Sequence, residues 1–400
     1  MMKKTLILMI FFLPFLILEA FSGTLNTGPW RFELKTTHAT IPFILEIKKN
    51  KKNYEASLHN GKELISLTGI QVNGNAISIP LQTYELSLEL ELLKEGLLSG
   101  SLVRHNKNPK VKTSIQATFG TSERFPNHKK IPDIDLNGRW AISMGDEQDH
   151  KETGVLLFEQ KDNKLNGSIL TPTGDYRYIE GYVSGNEFEA ASFDGVYNYL
   201  LKGQVKDGKL KAEILSNYKT RIEGTKNESA DLPDAYKQTQ LESLSFNFPD
   251  LKGNYVNLDS PQFKNKPIIV QFFGSWCPNC LDEMNYLIPW YKARKQKSVE
   301  IIALAFERSN TKEEAKKQLL KTQKKFKIPY TLLIAGSTSE DKPKDKISGL
   351  KNFISFPTTI FLNKKHQIIK IHAGFTGPST GAFFERWKKE FSETVEEMVK

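Results

Sequence analysis

The sequence predicts a multidomain chain in which a duplicated antiparallel β region precedes an α/β domain. Three observations carry this reading. Between about residues 24 and 224, short apolar-alternating runs are separated by Asn-Gly and Asp-Gly turns, without long helical periodicity. Motifs in that region recur at a nearly constant offset of about 110 residues. From about Phe246, continuous apolar runs alternate with helical segments, as in a sheet covered by helices.

Taken in order, Met1–Ser22 reads as a secretory signal. Lys3 and Lys4 precede the apolar run Leu6–Leu18, and Ala20-Phe21-Ser22 offers small residues for cleavage near Ser22. An uncleaved anchor is the alternative, although the run is shorter than the ~20 residues that span a bilayer. Residues 23–105 form β-rich repeat 1, 106–135 a connector, 136–225 β-rich repeat 2 and 226–245 a linker. Glu85–Leu92 alternates with period two, and Asn60-Gly61, Asn73-Gly74, Asn166-Gly167 and Asp207-Gly208 are hairpin turns. Gly28-Pro29-Trp30 matches Asn137-Gly138-Arg139-Trp140, Asn73-Gly74 matches Ser184-Gly185, and Glu95-Gly96 matches Asp207-Gly208. The repeats are expected to form one shared barrel or two half-barrels.

Residues 246–400 form the α/β domain. Pro267–Phe273 is a buried strand, a helix runs from Cys277 to about Lys295, and Ser298–Phe306 is a second strand. Thr311 caps a helix to Phe326. Strands follow at Thr331–Ile334, Thr358–Leu362 and Gln367–His372, then a closing helix at Ser379–Met398.

With 39% hydrophobic and 26% charged residues in 400, disorder over most of the chain is excluded. The formal charge of +10 comes from lysines interleaved with acids, and the Lys48–Lys52 cluster sits at an expected turn. No zinc-finger, RNP-type or basic-zipper pattern is present, so nucleic acid is not an expected partner.

The chain has two cysteines, Cys277 and Cys280. They close too short a loop to staple a fold and supply half the ligands of a structural zinc, so neither metal nor cofactor is expected. The pair points to thiol–disulfide exchange, which needs an attacking thiolate and a second thiol to resolve the mixed disulfide. Cys277 follows a strand and opens a helix, where backbone N–H groups favour an anion. Cys280 lies about one turn on, facing the same way. Cys277 is therefore expected as the exposed nucleophile and Cys280 as the shielded resolving thiol; two unrelated core cysteines are the alternative. Glu283 is three positions beyond Cys280. The spacing fits a proton carrier for Cys280 or a solvent-facing glutamate equally; Asp282 points elsewhere. Phe356-Pro357 precedes a strand, where a cis proline presents the Phe356 backbone to the cysteines, or a trans proline merely enters the strand.

Trp276-Cys277-Pro278-Asn279-Cys280 together with Pro357-Thr358 resembles the thioredoxin superfamily and, within it, the TlpA-like disulfide reductases, over about residues 246–400. The long separation between Cys277 and Pro357 fits that family's extra central segment, here around residues 305–330. The resemblance implies a role for Glu283, which matches a family glutamate, while Gln271 stands where plain thioredoxins keep a buried aspartate. It also implies substrate docking along Trp276, Phe356 and Pro357. It implies a periplasmic reductase fed by a membrane-embedded thiol carrier and acting on oxidised protein thiols, apocytochrome c among them. The N-terminal half resembles the lipocalin-like β region attached to some members. Pro278-Asn279 matches neither thioredoxin nor the oxidases of the fold, which leaves reductase, isomerase and oxidase open.

Three rival classes have weaker support. A thiol peroxidase lacks the Trp-Cys-x-x-Cys pair. Metal delivery, with His366 or His372 as ligand, has the wrong cysteine spacing. A binding module with an accessory redox domain would line a groove with Trp30, Trp140, Tyr176, Tyr178, Tyr197 and Tyr199, residues that otherwise fill a sheet core.

Overall fold

The computed structural model describes residues 23–400 except 52, 82–83, 106–108, 127–129, 146–150, 233–243, 294–298, 310, 339–342 and 351–352. The secretory-signal reading of Met1–Ser22 lies outside the described residues, as do the expected helix end near Lys295 and the strand start at Ser298. Among the described residues no helix is long and apolar enough to cross a membrane.

Eight strands between Gly28 and Phe119 pair consecutively and antiparallel, and the ring closes where Trp30–Leu34 pairs with Ile115–Phe119. The second repeat builds a second ring between Gly138 and Lys226. It closes because Gly138–Gly145 pairs with both Lys151–Lys161 and Lys219–Lys226. Each repeat is therefore a complete barrel: the duplicated antiparallel β architecture is as expected, and each copy closes by itself rather than sharing one barrel or stopping at a half-barrel. Eight strands suffice to close a sheet around an interior that side chains fill, and closure removes both edges. The alternation in Leu86–Leu92 is the reason: Leu86, Leu88, Leu90 and Leu92 are buried inside while Glu91 faces solvent.

The duplication extends to side-chain bonds. Trp30 Nε1 donates to the Asn26 carbonyl at 3.0 Å, and Trp140 Nε1 donates to the Leu136 carbonyl at 2.9 Å. Both indoles, with Tyr199, are buried in the barrels, and Tyr176 and Tyr197 pack against the second core. These aromatics fill cores rather than line a groove.

One difference between the repeats bears on the active site. In the first barrel, Asn53–Asn60 and Glu63–Asn73 keep register from the hairpin tip to Ala56↔Leu67, then slip by one residue before Tyr54↔Ile70. In the second, the pairing runs only to Leu170↔Asp175 before slipping ahead of Gly167↔Ile179. The bulge has moved to Tyr176–Tyr178, close to the tip, and Arg177 there has a φ of 60°.

The barrels pack side by side, with Phe43 stacked on Phe193 at 3.7 Å between centroids. Part of the first connector is structural: the buried Arg124 donates to the Ala191 carbonyl at 2.7 Å and to the His59 carbonyl. Beyond the second barrel, Ala230 is buried against Phe383 and Asp231 holds Arg386 through two bonds of 2.5 and 2.7 Å.

The α/β domain has a five-stranded sheet ordered Thr331–Ser337, Glu300–Glu307, Ile268–Phe273, Thr358–Leu362, Ile368–Ala373. The first three strands are mutually parallel, and Thr358–Leu362 runs antiparallel to both of its neighbours. Helices Pro278–Ala293, Lys312–Phe326 and Ala382–Val399 pack on one face. Leu244, Phe246, Phe263 and Ile347 cover the other. Thr311 caps its helix by accepting from Glu314 N.

Candidate active site

The central strand Ile268–Phe273 is buried along its whole length, and the chain leaves it through Gly274-Ser275-Trp276. Cys277 then takes the cap position of the helix Pro278–Ala293. Its carbonyl accepts the first helical bond from Leu281 N at 3.2 Å, and its sulfur accepts from Cys280 N at 3.3 Å. Pro278 suits the first helical position because no intrahelical acceptor exists there for an N–H. A sulfur so placed meets the positive end of the helix, which favours a thiolate.

Cys277 and Cys280 are joined as a disulfide with Cα atoms 5.3 Å apart. Cys280 is fully buried and Cys277 is 5% exposed. The sequence reading of Cys277 as an exposed group is thus corrected. Cys277 packs in the core of the α/β domain itself, with the Phe356 carbonyl beside its sulfur. Asn279, between the cysteines, is buried as well and donates to the Asp175 carbonyl of the second barrel at 2.9 Å.

The Phe356–Pro357 peptide is cis, and the Phe356 carbonyl oxygen lies 3.7 Å from Cys277 Sγ. Trp276 is half-buried. Its Nε1 donates to the Phe306 carbonyl at 2.8 Å, its ring meets Phe356 edge-on, and the Arg308 guanidinium lies 3.8 Å above it. The structure therefore brings Trp276, Phe356 and Pro357 to one side of the disulfide.

Glu283 is buried beneath the sheet side of the helix. Its two carboxylate oxygens accept from Gln271 Nε2 and Thr359 Oγ1, each at 2.7 Å. Burial pushes its pKa up to about 7, with the two hydrogen bonds pulling the other way. Sequence reasoning missed one more carboxylate, Glu307, and set another, Asp282, aside. Glu307, at the end of an apolar strand, is buried and accepts from Ser275 N at 2.9 Å and Ser275 Oγ at 2.6 Å. Burial raises it to about 7 as well. Its signal was a lone acid closing the run Ile301–Phe306. Asp282 points away from the sulfurs but not to bulk water: Arg177 Nε lies 3.1 Å from its Oδ2. Burial lifts Asp282 to about 7 against the pull of Arg177.

The two histidines weighed as metal ligands are engaged elsewhere. His366 Nε2 lies 3.2 Å from the Phe263 carbonyl, and His372 accepts from Trp387 Nε1 at 3.1 Å. Among the described residues, no group of three or more His, Cys, Asp or Glu is placed to hold a metal ion.

The Redoxin family profile matches residues 236–382. Thiol-disulfide oxidoreductase ResA of Bacillus cereus (strain ZK / E33L) is 31% identical over 133 residues, covering 33% of this chain and 68% of the relative. The chain belongs to the thiol–disulfide oxidoreductases. ResA of Halalkalibacterium halodurans is 25% identical over 154 residues, covering 38% of this chain and 75% of the relative. Sporulation thiol-disulfide oxidoreductase A of Bacillus subtilis is 25% identical over 127 residues, covering 32% of this chain and 69% of the relative. The chain is thus an enzyme of the TlpA-like, thioredoxin-fold group, and its one cysteine pair lies inside the span matched by the Redoxin profile.

Proposed function

We propose that this oxidoreductase works outside the cytoplasm as a reductase of disulfides in exported proteins, with Cys277 as entry point. The observation that carries the reading is the pairing of a helix-capping sulfur with a fully buried partner, one helical turn from the buried carboxylate of Glu283.

In the reduced enzyme the Cys277 thiolate attacks one sulfur of a substrate disulfide. A mixed disulfide forms and the substrate's other sulfur leaves as a thiolate, which takes a proton from water. Cys280 then gives its proton to Glu283 and attacks Cys277 Sγ. This releases the second substrate sulfur and leaves the Cys277–Cys280 disulfide seen here. Two electrons pass from enzyme to substrate. A membrane-embedded dithiol carrier returns them and is itself oxidised. A carboxylate with a pKa of about 7 can accept the Cys280 proton near neutral pH, which suits Glu283 to this step. Trp276 and the Phe356-Pro357 backbone form the edge along which a substrate segment lies. Exported proteins with oxidised thiols, apocytochrome c among them, are the substrates, and Met1–Ser22 supplies the export signal.

The test compares reduced wild type with Cys277→Ala on a short peptide carrying one disulfide. The variant should lose about 1,000-fold or more in kcat/KM. Retention of about a tenth of the wild-type value would reject the reading.

A further inference from the structure

The segment between the two cysteines is held by a part of the molecule that the redox chemistry does not require. The hairpin Lys164–Ser184 of the second barrel lies across the helix start. Its backbone at Asp175 accepts from Asn279 Nδ2 at 2.9 Å and donates to the Phe375 carbonyl at 3.2 Å. The buried Asp175 carboxylate accepts from Gly377 N at 2.6 Å and Ser379 Oγ at 3.0 Å, and Ser168 meets Ser379 at 2.9 Å. Two residues on, Arg177 binds Asp282 of the active-site helix, Asp194 of its own barrel at 2.8 Å and Glu63 of the first barrel at 2.6 Å. All three bodies of the molecule meet on this one guanidinium.

The approach is too close for side chains. Gly174 and Gly374 both have positive φ, at 128° and 69°. A Cβ on Gly374 would fall 2.5 Å from Gly174 N, and one on Gly174 would fall 2.4 Å from Asn279 Nδ2. The bulge at Tyr176–Tyr178 supplies the remaining fit, since it turns Arg177 out of the barrel.

We propose that this hairpin is the specificity element of the enzyme: it admits disulfides on extended, unfolded polypeptide segments and excludes those on compact folded proteins. With Pro278 and Asn279 sealed, the approach left to Cys277 Sγ runs over the half-buried Trp276 and Phe356. A slender segment fits beside those rings. A globular surface would collide with the barrel before its sulfur reached Cys277. The inference rests on the proposed reductase reading and names its substrate class.

The test offers the same disulfide in a short peptide and on the surface of a folded protein, with each rate divided by that of free dithiothreitol to remove intrinsic reactivity. Wild type should favour the peptide by about 30-fold or more. Ser379→Glu sets a carboxylate against Asp175, outside the Cys-x-x-Cys segment, and should cut that preference at least about tenfold while the peptide rate holds within about twofold. Ser168→Glu applies the same wedge from the barrel side. Small-angle scattering checks that each variant is folded and opened, and iodoacetamide should label reduced Cys277 faster in both. Equal normalised rates on both substrates in wild type overturn the proposal. So does an unchanged preference in an opened variant. Loss of the wild-type peptide rate itself would instead strike the reductase reading.

Discussion

The same strand pair occurs in both barrels, and only its bulge differs. In the first barrel the bulge lies deep in the sheet, beyond Leu67, and the hairpin tip contributes one carboxylate, Glu63, to the molecular centre. In the second it lies at the tip, and Arg177 leaves the sheet to hold Glu63, Asp194 and Asp282. Fold and hairpin length are shared; the displaced residue goes with a second copy that sends Arg177 to the redox helix, while the first packs Tyr84 against the same domain's core. Duplication gives a stable frame twice, and one copy is then free to vary where it touches the active site.

The largest effect should come from removing that arginine. Arg177→Met leaves three mostly buried carboxylates unpaired and should cost about 3–5 kcal/mol in urea unfolding near neutral pH. Leu64→Ser, on the corresponding hairpin of the first barrel and 66% exposed, should stay within about 0.5 kcal/mol of wild type. Equal costs would break the contrast.

Glu283 gives the next effect. Its folded pKa of about 7 stands above the ordinary 4.5, so the folded state holds the proton in between. Stability contributed at low pH is therefore lost as pH rises from 4.5 through 7, on the order of 3 kcal/mol in all. Glu283→Gln should remove that share of the slope, the rest belonging to Asp282 and Glu307. Gln271 can turn its otherwise unpartnered Oε1 toward the new amide, so the variant should fold. In stopped-flow, resolution of the mixed disulfide should quicken through pH 7 in wild type and lose that rise in the variant. An unchanged profile would remove Glu283 from proton transfer.

The smallest effect sharpens the likeness of the barrels. Trp30→Phe and Trp140→Phe each strand one carbonyl, at Asn26 and Leu136, and should cost about 1–2 kcal/mol apiece. Costs that differ by more than about 1 kcal/mol would show that the repeats have diverged in their cores too.

Much of the α/β domain was legible in the sequence because its information is local. The apolar run to Phe273, the Cys-x-x-Cys at a helix start and the cap at Thr311 each sit within a few residues of what they specify. Helical spacing left Glu283 open between the sulfurs and solvent, and only the family resemblance favoured the first. Barrel closure was not legible, since Trp30 meets Phe119 across the whole repeat. The docking of the second barrel on the redox helix was legible still less. It depends on Asp175 and Arg177 meeting residues about a hundred positions away. A one-residue bulge leaves almost no trace in a period-two pattern. Asp282 read as a bystander because its partner was out of sight.

The central claim is that substrate disulfides enter at Cys277 and are released by Cys280. Trapping tests it most directly: reduced Cys280→Ser is mixed with a peptide disulfide and the adduct is mapped by mass spectrometry. A stable mixed disulfide on Cys277, with none on Cys280 in the mirror variant Cys277→Ser, is the expected result. An adduct on Cys280 in that mirror variant, or no adduct on Cys277, would contradict the account.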